Sequence, residues 1–95
     1  MARIVVITPD KKQTTYVLEG RIITVGRTPA NGIQIHDGAA SRKHCLIKIV
    51  AETFTLVDLG SANGTKVNGD RVKEYDLTDG DRIKIGKTVL AFKEK

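Results

Sequence analysis

The sequence predicts an all-β fold in which two sheets of short strands bury their inner faces against one another. Three observations lead there. Apolar and β-branched residues come in short segments, and no stretch keeps apolar residues at helical spacing over successive turns. Between the segments stand Gly-, Asn- and Asp-containing turn signals. The chain of 95 residues, 40% of them hydrophobic, has room for one core and not two.

The first segment, Arg3–Thr8, contains the run Ile4-Val5-Val6-Ile7 and stops at Pro9-Asp10. Thr15–Glu19 follows and ends at Glu19-Gly20, and Ile22–Gly26 comes next. Ile33–Ile35 lies between Asn31-Gly32 and Asp37-Gly38. In His44–Val50 the period of two sets Cys45, Ile47 and Ile49 on one face and His44, Leu46, Lys48 and Val50 on the other. Cys45 is therefore expected in the core. Phe54–Asp58 and Thr65–Val67 flank a loop that ends in Asn63-Gly64, and Asn68-Gly69 closes the second of them. After Asp79-Gly80 come Arg82–Ile85 and Thr88–Lys93, joined at Gly86. No repeat, low-complexity tract or shift in composition interrupts the chain, so residues 1–95 are expected to form one domain.

One cysteine rules out a disulfide framework and a cysteine-built metal cluster, and no cofactor is expected. The apolar runs are too short to span a bilayer, and no signal-peptide pattern opens the chain, so the default compartment is the cytoplasm. A net charge of +5 and a pI near 9.6 predict attraction to polyanions: nucleic acid, anionic lipid or phosphorylated protein. With two Tyr, two Phe and no Trp, the chain offers few platforms for stacking single-stranded bases.

Polar residues gather in three expected loops: Gly26-Arg27, Ser41-Arg42-Lys43-His44, and Gly60-Ser61-Ala62-Asn63-Gly64-Thr65. Loops on a rigid β scaffold are the usual binding surface. Any one of these pieces recurs by chance in other proteins; their order along one β-rich chain is specific. Together with Val67-Asn68-Gly69, they resemble the forkhead-associated (FHA) family, whose pattern runs Gly-Arg, Ser-x-x-His, Ser-x-Asn-Gly. The resemblance spans nearly the whole chain. It implies a sandwich of about eleven strands that binds phosphothreonine peptides at the loops of one end.

Phosphothreonine carries about −1.5 to −2 charges and three acceptor oxygens, so its recognition needs donors. The resemblance assigns Arg27, whose planar guanidinium can hold two oxygens, and Ser41, whose hydroxyl and backbone N–H can both donate. Arg42 is expected to reach the phosphate or the peptide, and Lys43 to add to the positive field. Asn63 is expected to bridge the peptide backbone with its amide, and Ser61 to face the phosphothreonine. Gly26, His44 and Gly64 are expected to support the site, with His44 tying the loops together. Ala62 departs from members with Thr at that position and leaves the site one hydroxyl short. His36, like His44, is expected to be partly buried and hydrogen-bonded.

The expected partner is a threonine-phosphorylated protein or peptide, with neither nucleic acid nor membrane, bound by a monomer or by part of a larger chain. Two other readings remain. A basic all-β domain could bind nucleic acid through its charges, with strong salt dependence and no need for a phosphoamino acid. An enzyme could pair Ser41 or Cys45 with His44, but no carboxylate pair, metal set or phosphate-cradling glycine loop accompanies them. The sequence therefore favours a binding module without catalysis.

Overall fold

The computed structural model describes residues 1–94. Eleven strands alternate with short connections: β1 (Arg3–Ile7), β2 (Gln13–Val17), β3 (Ile22–Gly26), β4 (Ile33–Gln34), β5 (Cys45–Val50), β6 (Thr53–Asp58), β7 (Thr65–Val67), β8 (Asp70–Val72), β9 (Glu74–Asp76), β10 (Arg82–Ile85) and β11 (Thr88–Lys93). They form a six-stranded sheet, ordered β2-β1-β11-β10-β7-β8, and a five-stranded sheet, ordered β4-β3-β5-β6-β9. Pairing is antiparallel except between β3 and β4, where Val25 lies beside Ile33 in parallel register. The first and last strands are neighbours within the larger sheet, with Arg3 opposite Lys93. No helix among the described residues is long and apolar enough to cross a membrane.

The alternation that predicted the strands also builds the core. Ile4 of β1, Ile47 of β5, Leu56 of β6, Ile83 and Ile85 of β10, and Leu90 and Phe92 of β11 are fully buried where the two sheets face each other. Burying each such side chain stabilises the fold by about 1.5–3 kcal/mol before chain entropy is set against it. Phe54 packs against Phe92 with ring centroids 5.3 Å apart and planes tilted by 55°, which joins the sheets near one end. Cys45 is buried as its alternation predicts.

Two strands carry no signal in the sequence. β8 and β9 are the outer edges of the two sheets, and apart from half-buried Val72 their residues are exposed, so neither shows the apolar alternation of a half-buried strand. The turn chemistry marks the β7–β8 hairpin instead. Asn68 (φ 51°) and Gly69 (φ 92°) both adopt left-handed backbone, as a two-residue hairpin turn between paired Val67 and Asp70 requires. Asn31-Gly32, by contrast, makes no hairpin; the chain crosses there into the parallel strand β4. β2 begins at Gln13 because it pairs with β1 from Ile7 onward.

His44 departs from its expected face. It precedes β5 and turns inward, so that His44 and Cys45 are both fully buried although they are adjacent in sequence.

Candidate functional site

Four connections meet at one end of the sandwich: β3–β4, β4–β5, β6–β7 and the β10–β11 turn. Gly26 sets the closest approach. A Cβ there would lie 2.1 Å from the Arg42 carbonyl oxygen and 2.8 Å from Asn31 Nδ2, so only glycine lets these segments close. Arg27 follows directly. Its N–H donates to the Ser41 carbonyl at 3.0 Å. Its Nε–H donates to the Ala40 carbonyl at 3.1 Å, which fixes the guanidinium plane. The two terminal NH2 groups have no partner among the described residues and the side chain is exposed.

Asn31, expected from sequence as a turn residue, braces the same region. Its Nδ2 donates to the Thr28 carbonyl and to the Arg42 carbonyl, each at 2.9 Å, while its buried Oδ1 has no partner. The signal for this role was its place just before Gly32. A bracing asparagine and a turn asparagine look alike there.

Ser41 is half-buried. Its backbone N–H donates to His44 Nδ1 at 3.0 Å, which corrects the expectation that this N–H faces a ligand. Its Oγ accepts the Ala62 N–H at 3.1 Å, leaving the hydroxyl hydrogen available. His44 is the joint between loops. Because Nδ1 accepts from a backbone N–H, the ring proton resides on Nε2, which donates to the Gly64 carbonyl at 2.9 Å. His44 is fully buried, rather than partly so, and neither ring nitrogen meets a carboxylate. His36 is exposed, contrary to the expectation of partial burial.

The β6–β7 loop is organised by Asp58, at the end of β6. Its carboxylate accepts from the Gly60 and Ser61 N–H groups at 3.0 Å each, from Ser61 Oγ at 2.6 Å and from Thr65 Oγ1 at 2.7 Å. Burial opposes its ionisation, but the Ser61 and Thr65 hydroxyls and the Ser61 N–H outweigh that cost and hold the carboxyl below its usual range. Ser61 is thereby corrected. Its hydroxyl donates to Asp58 and accepts the Gly64 N–H at 3.0 Å, and the residue is buried, so it is part of the loop's frame and does not face a ligand. Gly64 has φ +84°, and a Cβ there would meet the Arg71 guanidinium 2.6 Å away at Nε.

Asn63 is exposed, and its Nδ2 donates to the Ala39 carbonyl at 2.9 Å, which ties the β6–β7 loop to the β4–β5 loop. Oδ1 and the second amide hydrogen remain available. Asp37, read from sequence only as a turn residue, plays the corresponding part at the β10–β11 turn. It accepts from the Ala39 and Lys87 N–H groups at 2.9 Å each and from Thr88 Oγ1 at 3.1 Å. The Ala39 N–H, despite some burial, does most to lower its carboxyl's pKa. Arg42 and Lys43 are exposed, and their side chains have no partner among the described residues. The loop carboxylates thus point at the scaffold, and the uncommitted donors belong to Arg27, Ser41, Arg42, Lys43 and Asn63. Cys45 lies beneath them with its thiol pushed up to about 12, chiefly by burial and then by the Asp58 charge, so no thiolate is available there.

Comparison with known proteins agrees with this architecture. The sequence matches the FHA domain family over residues 23–86. It is 38% identical over 77 residues to the glycogen accumulation regulator GarA of Mycobacterium tuberculosis, covering 81% of this chain and 48% of that protein. It is 39% identical over 77 residues to the oxoglutarate dehydrogenase inhibitor of Corynebacterium efficiens, covering 81% of this chain and 54% of that one. The chain thus spans about half the length of the curated relatives it matches. A structure solved in a study of phosphothreonine-dependent FHA domain interactions superimposes with a TM-score of 0.89 at 30% identity, over 98% of this chain and 97% of its own. A two-sheet sandwich with Gly26-Arg27, Ser41-x-x-His44 and Asn63-Gly64 on adjoining loops, matched over two thirds of its length, belongs to the FHA domain family.

Proposed function

We propose that this chain is a single FHA domain, residues 1–95, that binds phosphothreonine peptides and thereby acts as a phosphorylation-dependent adaptor or regulatory unit. One observation carries the reading: the guanidinium of Arg27, held by its Nε–H to Ala40, keeps both NH2 groups without a protein partner, in a loop joined to that of Ser41. Ser41 adds a hydroxyl whose hydrogen is uncommitted. A phosphate dianion takes such donors well, and each charge-assisted bond is worth about 1.5–3 kcal/mol. Arg42 supplies a second cation. The remaining amide groups of Asn63 suit an extended peptide backbone.

The loops are cross-braced before any ligand arrives, by His44, Asn31, Asp58 and Asp37, so little ordering cost opposes binding. Ser61 is reassigned to this framework. The chain performs no catalysis in this reading: both ring nitrogens of His44 are bonded to backbone, and the Cys45 thiol is buried. Its partners are phosphorylated cytoplasmic proteins. Similarity to GarA and to an oxoglutarate dehydrogenase inhibitor supports a regulatory role.

The test is a calorimetric titration with a degenerate phosphothreonine library, alongside phosphoserine and unphosphorylated versions, using wild type and Arg27→Ala. Micromolar binding restricted to phosphothreonine and lost in Arg27→Ala is expected. Equal binding by the variant, or no phosphopeptide binding at all, would refute the proposal.

A further inference from the structure

Beside the loops lies a cavity lined by Asn63, Gly64, Lys66, Lys84 and Gly86. Its two lysines are directly opposite each other, Lys84 of β10 paired with Lys66 of β7, and Lys66 is paired in turn with Arg71 of β8. All three are exposed, while their neighbours Thr65, Val67, Ile83 and Ile85 point into the core. Three cations therefore stand in one row across adjacent strands.

Like charges placed directly opposite destabilise a sheet. Among the described residues none of the three side chains has an acidic partner, and the row continues through Val89 and Ile7, not through a carboxylate. Two acids lie close by, Asp37 against Gly86 and Asp58 across a second hollow from Arg71, but the oxygens of the first accept from Ala39, Lys87 and Thr88 and those of the second from Gly60, Ser61 and Thr65. The Arg71 guanidinium rests close to Gly64, which brings positive charge to the edge of the same cavity.

The cavity is continuous with the proposed binding loops. Asn63 lines it and bonds the Ala39 carbonyl, while the adjacent Ala40 carbonyl holds Arg27. An extended peptide advances about 10 Å in three residues, so residues flanking the phosphothreonine meet surface beyond the loops that hold the phosphate.

Resting on the reading of the loops as a phosphothreonine site, we infer that Lys66 and Lys84, with Arg71 beside them, form a second anion subsite. It takes an acidic or phosphorylated side chain in the segment flanking the phosphothreonine. The row thus makes the domain selective for anionic flanks, and it accounts for cations held together at a cost to the sheet.

The experiment titrates wild type and the Lys66→Ala/Lys84→Ala double variant with peptides that share one phosphothreonine. One has neutral flanks, others carry Asp or Glu on either side, and others a second phosphate. For wild type an anionic flank should tighten binding about threefold to tenfold, and added salt should erode the gain. The double variant should lose that gain yet bind the neutral-flank peptide as wild type does. A gain that is absent, or that persists in the double variant, overturns the subsite and leaves the phosphothreonine reading standing. Failure of every peptide to bind overturns both. If the flanks bring no gain and a short DNA duplex binds wild type but not the double variant, the row belongs to nucleic acid and the inference is wrong. Acidic flanks and second phosphates compared at equal length show which source of negative charge the subsite prefers.

Discussion

Replacing His44 by Phe tests whether the loop end is held by hydrogen bonds or only by packing. Phenylalanine fills a similar buried volume, so the cavity cost is small, but both ring contacts vanish. The Gly64 carbonyl is left buried without a donor, at about 1–3 kcal/mol, and the half-buried Ser41 N–H loses a bond worth about 0.5–1.5 kcal/mol. A total loss of about 2–4 kcal/mol follows, a large share of the stability of a small domain. With a urea m-value of about 2 kcal/mol/M, the midpoint should fall by about 1–2 M. The effect on binding should be just as clear. Ser41 and Gly64 belong to two different ligand loops, and without the imidazole these loops lose a shared anchor. Urea denaturation followed by far-UV circular dichroism gives the stability, and titration with a phosphothreonine peptide gives the affinity. A variant within about 0.5 kcal/mol of wild type that binds normally would show that packing alone shapes the site, and the reasoning would be wrong.

Other outcomes follow from the same geometry. Gly26→Ala forces a methyl group against the Arg42 carbonyl, so denaturation should show a loss of about 1–3 kcal/mol, and the misplaced Arg27 should bind phosphopeptide weakly. Asp58 has a folded-state pKa below that of the unfolded chain, so its contribution is complete above the unfolded value near 4 and fades as pH falls through the lower folded value. Thermal melts of wild type should therefore drop at acidic pH, and Asp58→Asn should flatten that dependence while lowering the plateau; an unchanged slope would count against the assignment. Cys45, buried and with its pKa pushed up to about 12, should resist a thiol reagent in the native protein and react once urea unfolds it. Fast native labelling would contradict its placement.

How far the fold could be read from sequence depended on burial. Strands with one buried face, such as β10 with Ile83 and Ile85 inward and Arg82 and Lys84 outward, declare themselves by alternation. β8 and β9 have little or no buried face to declare. At the site, the resemblance to the FHA pattern marked Arg27, Ser41, Arg42 and Asn63, and the structure brings their loops into hydrogen-bonded contact. Individual atoms were harder to assign. Whether the Ser61 hydroxyl faces a ligand or Asp58 depends on a turn geometry that local sequence does not encode. Asn31, Asp37 and Asp58 are short polar residues beside turns, where capping a local turn and bracing a distant loop call for the same side chain. Asp37 shows the difficulty, since two of its partners, Lys87 and Thr88, lie at the other end of the chain.

The pairing of β1 with β11 also governs how the molecule comes into being. The larger sheet has the earliest strand and the last side by side in its middle, so a nascent chain leaving the ribosome cannot complete that sheet until Thr88–Lys93 has emerged. Closing so long a loop is entropically slow, and until it closes the facing edges of β1 and β10 stay unpaired. Truncation within the final strand would therefore do more than shorten an edge: it would divide the sheet at its centre and leave two open borders ready to pair with other chains.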